Sequence, residues 1–382
     1  MPWLETCRMR QRVEFLIGLD NGVYTMTEAC ERFGVSRKTG YKWRRRMQEG
    51  GVEGLADRSR RPTTSPMRTP AAIEELVVEL RRSHSDWGPR KLLRVLSKRH
   101  PRAALPARST VAAILSRKGL VERRHRRRRH LHPGRPIRPV IAPNELWTAD
   151  FKGQFRTRNG VYCFPLTIAD QLSRYLLACE ALDSTRGEGV RPVFERLFRA
   201  HGLPDAIRTD NGVPFATTGI HGLSKLNVWW IQLGIQHERI EPGHPQQNGR
   251  HERMHRTLKK KTTRPPAATL AAQQRLFDDF RHEYNEVRPH ESLDDETPAT
   301  LWRPSSRPYP RKIARPEYPG HFAVRLVSNA GTFRLKHRQM FISQALKQEF
   351  IGLEEVDDGI WSIYYYDVLL GRLDESVWSL FP

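Results

Sequence analysis

Three carboxylates, Asp150, Asp210 and Glu252, stand in segments that give each a defined structural setting. Asp150 lies at the end of an extended apolar run, Leu146-Trp147-Thr148-Ala149-Asp150-Phe151, and Asp210 closes Ala206-Ile207-Arg208-Thr209-Asp210 just before an Asn211-Gly212 turn. Both read as residues presented at strand ends. Glu252 follows the loop Pro245-Gln246-Gln247-Asn248-Gly249 and begins a basic helical stretch, Arg250 to Lys259. Three acids on three separated elements suit a site for two hard divalent cations, because Mg²⁺ takes a few carboxylate oxygens and keeps its other positions for water and phosphate. Two such ions clamp the attacking and leaving oxygens of a phosphodiester displacement. Arg256 and Lys259, four and seven positions beyond Glu252, share its helix face and would offer positive charge to phosphates beside the metals. Glu241 rivals Glu252 on spacing alone, but it precedes Pro242-Gly243 and so lies at a strand exit or loop without a basic face. Asp170 and Asp183 sit at turns, where Asp serves the backbone, and fall outside the site.

Four segments occur in order: Trp147-Thr148-Ala149-Asp150-Phe151-Lys152-Gly153, Arg208-Thr209-Asp210-Asn211-Gly212-Val213-Pro214-Phe215, Pro245-Gln246-Gln247-Asn248-Gly249-Arg250-His251-Glu252-Arg253, and Tyr284-Asn285-Glu286-Val287-Arg288-Pro289-His290. With them the chain resembles the integrase-core DDE transposases of bacterial insertion sequences, relatives of retroviral integrases. The second and third acids are separated by 41 positions, residues 211 to 251, a few more than is usual in much of that superfamily. The extra length is expected in the stretch from Thr217 to Gly222. The resemblance implies an RNase H-like catalytic core in which Asp150, Asp210 and Glu252 hold two Mg²⁺ (or Mn²⁺) ions per active site. It also implies the function of a transposase: binding the ends of its insertion sequence, cutting them and transferring the strand to target DNA. The partners are then double-stranded DNA, both terminal inverted repeats and target, and at least a second copy of the chain, since two ends need two active sites. Gln247 and Asn248, in the loop before Glu252, join the expected DNA contacts.

Composition points to a polyanion partner. The net charge is +23, and residues 1 to 140 carry 33 Lys and Arg against 13 Asp and Glu. So local an excess marks a front half built to neutralise phosphates. Four cysteines, Cys7, Cys30, Cys163 and Cys179, show no paired spacing, which argues against a disulfide framework or a zinc unit of the retroviral kind. With no signal peptide or apolar stretch of spanning length, a cytoplasmic, nucleoid-associated protein without membrane contact is expected.

The expected architecture is multidomain: all-α helix-turn-helix units at the amino terminus, an α/β RNase H-like core, and a small β-barrel-like carboxy-terminal domain. Residues 1–60 form the first unit, with a helix from Met9 to Leu19, a second starting at a cap near Thr27, and a third from Arg37 to Met47 capped by Ser36. The third carries Arg37, Lys38, Thr39, Tyr41, Lys42 and Arg44, the side-chain mixture of a helix lying in a major groove. Residues 61–70 read as a linker, and 71–122 as a second helix-turn-helix whose last helix starts from a Ser/Thr cap. Residues 123–140 form an arm, with Arg123, Arg124, Arg126, Arg127, Arg128 and Arg129 too charged to pack and expected to order on DNA. The core spans 141–303, a proline-rich linker 304–319, and the β-rich domain 320–382. Two other readings stay open. A transcriptional regulator would use the helix-turn-helix units and leave the three acids idle. A structure-selective nuclease would use the acids and leave two DNA-reading units unexplained.

Overall fold

The computed structural model of the chain describes residues 7–59, 68–121, 139–216, 222–241 and 249–381. Contacts divide it into two compact units, Met1–Thr69 and Pro70–Pro382.

The first unit holds α1 (Arg8–Asp20), α2 (Met26–Arg32) and α3 (Arg37–Gly54) around Phe15, Leu16, Ala29, Cys30, Trp43 and Leu55. The start of α2 lies earlier than the expected cap near Thr27. Thr25 is the cap, its hydroxyl accepting from the Glu28 N–H while Glu28 reaches back to the Thr25 N–H. Reciprocal satisfaction of two free donors outweighs a lone Thr two residues on. Ser36 caps α3 as expected, and α3 runs past Met47, with non-helical backbone at Gly51. Gly40 is needed where α3 crosses α2: a Cβ there would come within 2.8 Å of Cys30 Sγ and Met26 Sδ.

The second unit begins with α4 (Ala71–Ser83), α5 (Pro89–Arg99) and α6 (Arg108–Arg117), which enclose Val77, Trp87, Leu92, Leu96, Val111 and Ile114. The Ser/Thr cap expected for α6 is not used: Ala107 is the cap residue and makes no side-chain bond. Basic residues of α5 turn inward to the core. Arg90 bonds Asp295 (2.6 Å) and Glu291 (2.8 Å), while Arg94 and Lys98 both meet Glu296.

The core is a six-stranded sheet built from β1 (Leu146–Phe151), β2 (Phe155–Arg156), β3 (Tyr162–Asp170), β4 (Leu176–Leu182), β5 (Ala206–Thr209) and β6 (Gln236–Arg239). β3 pairs antiparallel with β1, β2 and β4, whereas β1, β5 and β6 run parallel. A parallel pair needs a crossover, and α7 (Gly187–His201) and α8 (Lys225–Gln232) supply the two. They cover one face of the sheet, burying Trp147, Ala149, Ile168, Phe194, Phe198, Ile207, Trp229 and Trp230. The opposite face packs on α9 (Gly249–Thr262) and α10 (Leu270–His282) through Cys163, Cys179, Met254, Leu258, Phe277 and Phe280. A π-helical turn, Glu283–Val287, and the short α11 (Pro298–Leu301) follow.

The proline-rich stretch after the core is strapped to it. Arg307 donates to the carbonyls of Pro204 (2.8 Å) and Gly234 (2.8 Å), and Ser305 N–H to that of His201 (2.7 Å). The last domain pairs β7 (Ala323–Leu326), β10 (Phe350–Asp357), β11 (Ile360–Tyr365), β12 (Val368–Asp374) and β13 (Ser379–Phe381) into one antiparallel sheet in the order β13-β12-β11-β10-β7. β8 (Thr332–Leu335) and β9 (Arg338–Phe341) form a separate hairpin. Strand pairings that would close this domain into a barrel are not among those of the described residues. None of the described helices is long and apolar enough to cross a membrane.

Candidate active site

Side chains alternate between the two faces of a strand, so burial of Trp147 and Ala149 under α7 and α8 sends Thr148 and Asp150 to the face covered by α9. The same argument applies to β5, where Ile207 lies in the α7–α8 core and Arg208 faces the other way. β1 and β5 are adjacent and parallel, with Thr148 beside Arg208. Carrying that register two residues on sets Asp150 beside Asp210, at the carboxyl ends of neighbouring strands. Such strand ends are where ligands meet open α/β sheets.

Asp210 follows β5 directly, and its carboxylate accepts from the Gly212 N–H (3.1 Å). A Cβ on Gly212 would lie 3.2–3.3 Å from both carboxylate oxygens, so a side chain there would make the acid shift by a few tenths of an ångström. Asn211 fastens this turn to β6's exit, donating to the Ile240 carbonyl at 2.8 Å. Glu252 stands in the first turn of α9, with Arg256 and Lys259 also exposed on that helix. The opposite side of α9 is buried at His251, Met254, His255 and Leu258.

The electrostatics register the proximity of the acids. Burial, and next the charge of Asp210, push the Asp150 carboxyl up to about 7; Lys152 and the Phe151 N–H oppose this, and Glu252 adds to it. Repulsion between carboxylates of this kind is relieved by a cation. Carboxylate oxygens gathered at one place are what Mg²⁺ or Mn²⁺ would meet, so the residues fit a hard divalent ion. Among the described residues, no three His, Cys, Asp or Glu stand together as a ready metal cluster. Glu241 is exposed and is not among the leading charges that act on Asp150.

Asp170 is held by its own turn, accepting from the N–H groups of Asn144 (2.8 Å) and Ser173 (2.7 Å). On α3, Arg37, Lys38, Tyr41, Lys42 and Arg44 are exposed, and Lys38, Tyr41, Lys42 and Arg44 line a shallow groove with Arg45 and Gln48. Thr39 is occupied by the cap, its hydroxyl 2.9 Å from that of Ser36. Arg123, Arg124, Arg126, Arg127, Arg128, Arg129, Gln247 and Asn248 lie outside the described residues, as does most of the stretch expected to carry the extra length. Sequence reasoning missed the buried polar residues that bind the strand ends: Thr148, Thr167, His251 and His255 under Asp150, and Thr209 and His237 under Asp210. Alternation along β1 was the available signal for Thr148.

Family models described as integrase core domain match residues 141–245 and 233–298. One described as a helix-turn-helix domain matches 11–63, and one described as a homeodomain-like domain matches 39–115. An uncharacterized 39.2 kDa protein of insertion element IS476 from Xanthomonas euvesicatoria is 27% identical over 62% of this chain. An uncharacterized 31.7 kDa protein of insertion element IS407 from Burkholderia multivorans is 29% identical over 46%. The chain spans 66% and 62% of the lengths of these two relatives. Among solved structures, a simian T-cell lymphotropic virus intasome superposes with a TM-score of 0.39 at 16% identity, covering 80% of this chain and 95% of that one. The two integrase-core matches overlap and between them contain all three acids, so residues 141–298 are similar to integrase core domains, and the chain is similar to proteins of bacterial insertion elements.

Proposed function

We propose that the protein is the transposase of an insertion sequence, binding its terminal inverted repeats and carrying out divalent-metal-dependent strand cleavage and strand transfer into target DNA. The observation that carries the reading is the adjacency of Asp150 and Asp210 at parallel strand ends, with Glu252 near enough to act on the Asp150 charge. Asp150 and Asp210 supply oxygen ligands from the rigid sheet, and Glu252 completes the set as the start of α9 settles against them. Bound cations would acidify the attacking water or 3′-hydroxyl and neutralise the leaving oxygen. Lys152 tempers the negative charge at Asp150, and Arg256 and Lys259 hold backbone phosphates beside the acids. The α3 side chains Arg37, Lys38, Tyr41, Lys42 and Arg44 read the ends, and the arginine run from Arg123 to Arg129 adds attraction for any duplex. Residues 1–60, 71–122, 141–303 and 320–382 are the domains of a cytosolic, nucleoid-bound protein that works as at least a dimer on DNA.

The test separates chemistry from recognition. Asp210→Ala should abolish cleavage and joining of labelled ends while end binding stays within about threefold of wild type. Full activity of the variant, or of the wild type in chelating buffer, would overturn the mechanism. Joined DNA products distinguish transposition from nuclease action, and the loss of all catalysis with retained binding in every variant and the wild type alike would favour a regulator.

A further inference from the structure

Two buried histidines on α9, His251 and His255, take no part in the chemistry above. Their polar partners lie on the strand that carries Asp150 and on its neighbour. The Thr167 hydroxyl oxygen is 2.6 Å from His251 Nε2, 2.6 Å from His255 Nε2 and 3.0 Å from the carbonyl oxygen of Asp150. A carbonyl only accepts, so the single hydroxyl proton goes to Asp150, and the Thr167 oxygen accepts the Nε2–H of His255. By the same rule the Thr148 hydroxyl proton goes to the Ala169 carbonyl (3.2 Å), so its oxygen accepts from His251 Nδ1–H at 3.0 Å, while His255 Nδ1 lies 3.8 Å from Asp150 Oδ2. Thr167 is also the antiparallel partner of Asp150 in the sheet, so this cluster grips the catalytic strand from its side and from above. The second aspartate has a counterpart. Thr209 donates to the Asp210 carbonyl (2.8 Å) and accepts from His237 Nε2 (2.9 Å), whose Nδ1 accepts from Asn227 Nδ2 (3.1 Å).

We propose that His255, acting through Thr167, is a positioning residue for the metal site: it fixes the backbone of Asp150 relative to the helix that brings Glu252. Any helix staple could use apolar contacts alone. Here the His255 Nε2–H and the Asp150 carbonyl meet at one hydroxyl, so the link from the helix ends on the main chain of a cation ligand. Groups behind a ligand that set its orientation govern affinity for the ion. The proposal rests on the reading of Asp150, Asp210 and Glu252 as ligands.

The experiment measures Mn²⁺ binding to the full chain by calorimetry, together with the Mg²⁺ dependence and kcat of end cleavage. His255→Phe keeps the ring volume and removes both nitrogens; His255→Gln restores an N–H where Nε2–H was. The Phe variant should weaken Mn²⁺ binding about 10- to 100-fold and raise the Mg²⁺ requirement in parallel, while Gln returns to within about threefold of wild type. Thr167→Val should match the Phe variant, and the double variant should be no worse than either single one, because both remove the same link. A His255→Phe protein that folds and binds Mn²⁺ as wild type does overturns the proposal. If His255→Phe does not fold, unchanged Mn²⁺ affinity in Thr167→Val overturns it equally. Wild-type Mn²⁺ affinity in Asp150→Asn would instead remove the ligand reading, a result distinguishable from either.

Discussion

At the scale of single residues, Glu252 and Glu241 compete as the third acid and differ in what each carboxylate reaches. Glu252 acts on the charge of Asp150, and Glu241 is not among the leading charges there, although both side chains are exposed. Glu252→Gln keeps the side-chain volume and removes the charge, and should eliminate hydrolysis and strand transfer in Mg²⁺, a loss on the order of 10³-fold or more for a ligand that acts with its partners as a unit. Glu241→Gln should retain most activity. A paired assay on folded, DNA-binding variants checks this, and the opposite ranking would move the third ligand to Glu241. Gly212 makes a related demand, since a methyl group there would push on both oxygens of Asp210. The settings of the three acids were legible in the sequence because each stands in a motif with its own element boundary. The histidines under them were not. On a helix as basic as Arg250 to Lys261, His251 and His255 read as part of a solvated face, and only the packing of α9 on the sheet reveals the buried side.

At the scale of elements, the helices and strands that carry the site follow their apolar patterns, and the errors lie where a local bond or a tertiary contact wins. The capping box at Thr25 displaced the start of α2, and Ala107 shows that a Ser/Thr pair just inside a helix is no guarantee of a cap. β9 and β13 were not visible in the sequence, because strands of four and three residues are too short to show a clear alternation. The stretch 304–319 reads as a linker on proline content, yet Arg307 directs its guanidinium at core carbonyls exposed after α7 and α8. The two helical units also part company. α5 directs Arg90, Arg94 and Lys98 at acids of the core, whereas α3 leaves Arg37, Lys38 and Lys42 exposed. Replacing Arg37, Lys38 and Lys42 by Ala should therefore reduce discrimination between transposon ends and random DNA, by roughly 1–3 kcal/mol for each base edge that is no longer read. Neutralising Arg123, Arg124 and Arg126 to Arg129 should weaken both kinds of binding together and flatten the salt dependence, as fewer counterions are released. Titrations of specific and random duplexes at several salt concentrations separate the two; equal proportional losses from the α3 changes would show that α3 does not read sequence.

At the scale of the whole molecule, the core stores a set of histidines whose response to acid opposes that of the Asp150 carboxyl. Burial, as the first cause, holds His237 and His251 down to about 4, His290 to about 3 and His255 to about 2. A histidine in the unfolded chain takes its proton near 6.5, so below that pH the unfolded state binds more protons than the native one. Stability contributed by neutral burial is then fully present above about 6.5 and is lost as pH falls toward the native values, at about 1.4 kcal/mol per pH unit for each histidine. Asp150 works the other way. Its native carboxyl, pushed up to about 7, holds a proton that the unfolded chain releases near 4, so its contribution is present at low pH and lost as pH rises through 7. Four histidines outweigh one carboxyl between pH 6.5 and 4.5, and the metal-free protein should lose stability steadily across that window. Urea unfolding in chelating buffer at pH 7, 6 and 5 measures this. His290→Gln, which can keep a donor toward the Tyr284 carbonyl now met by Nε2 at 3.3 Å, should flatten the slope by about one histidine's share, roughly 1.4 kcal/mol per pH unit. Stability that stays level or rises from pH 7 to pH 5 would mean that these imidazoles are not held neutral in the folded core.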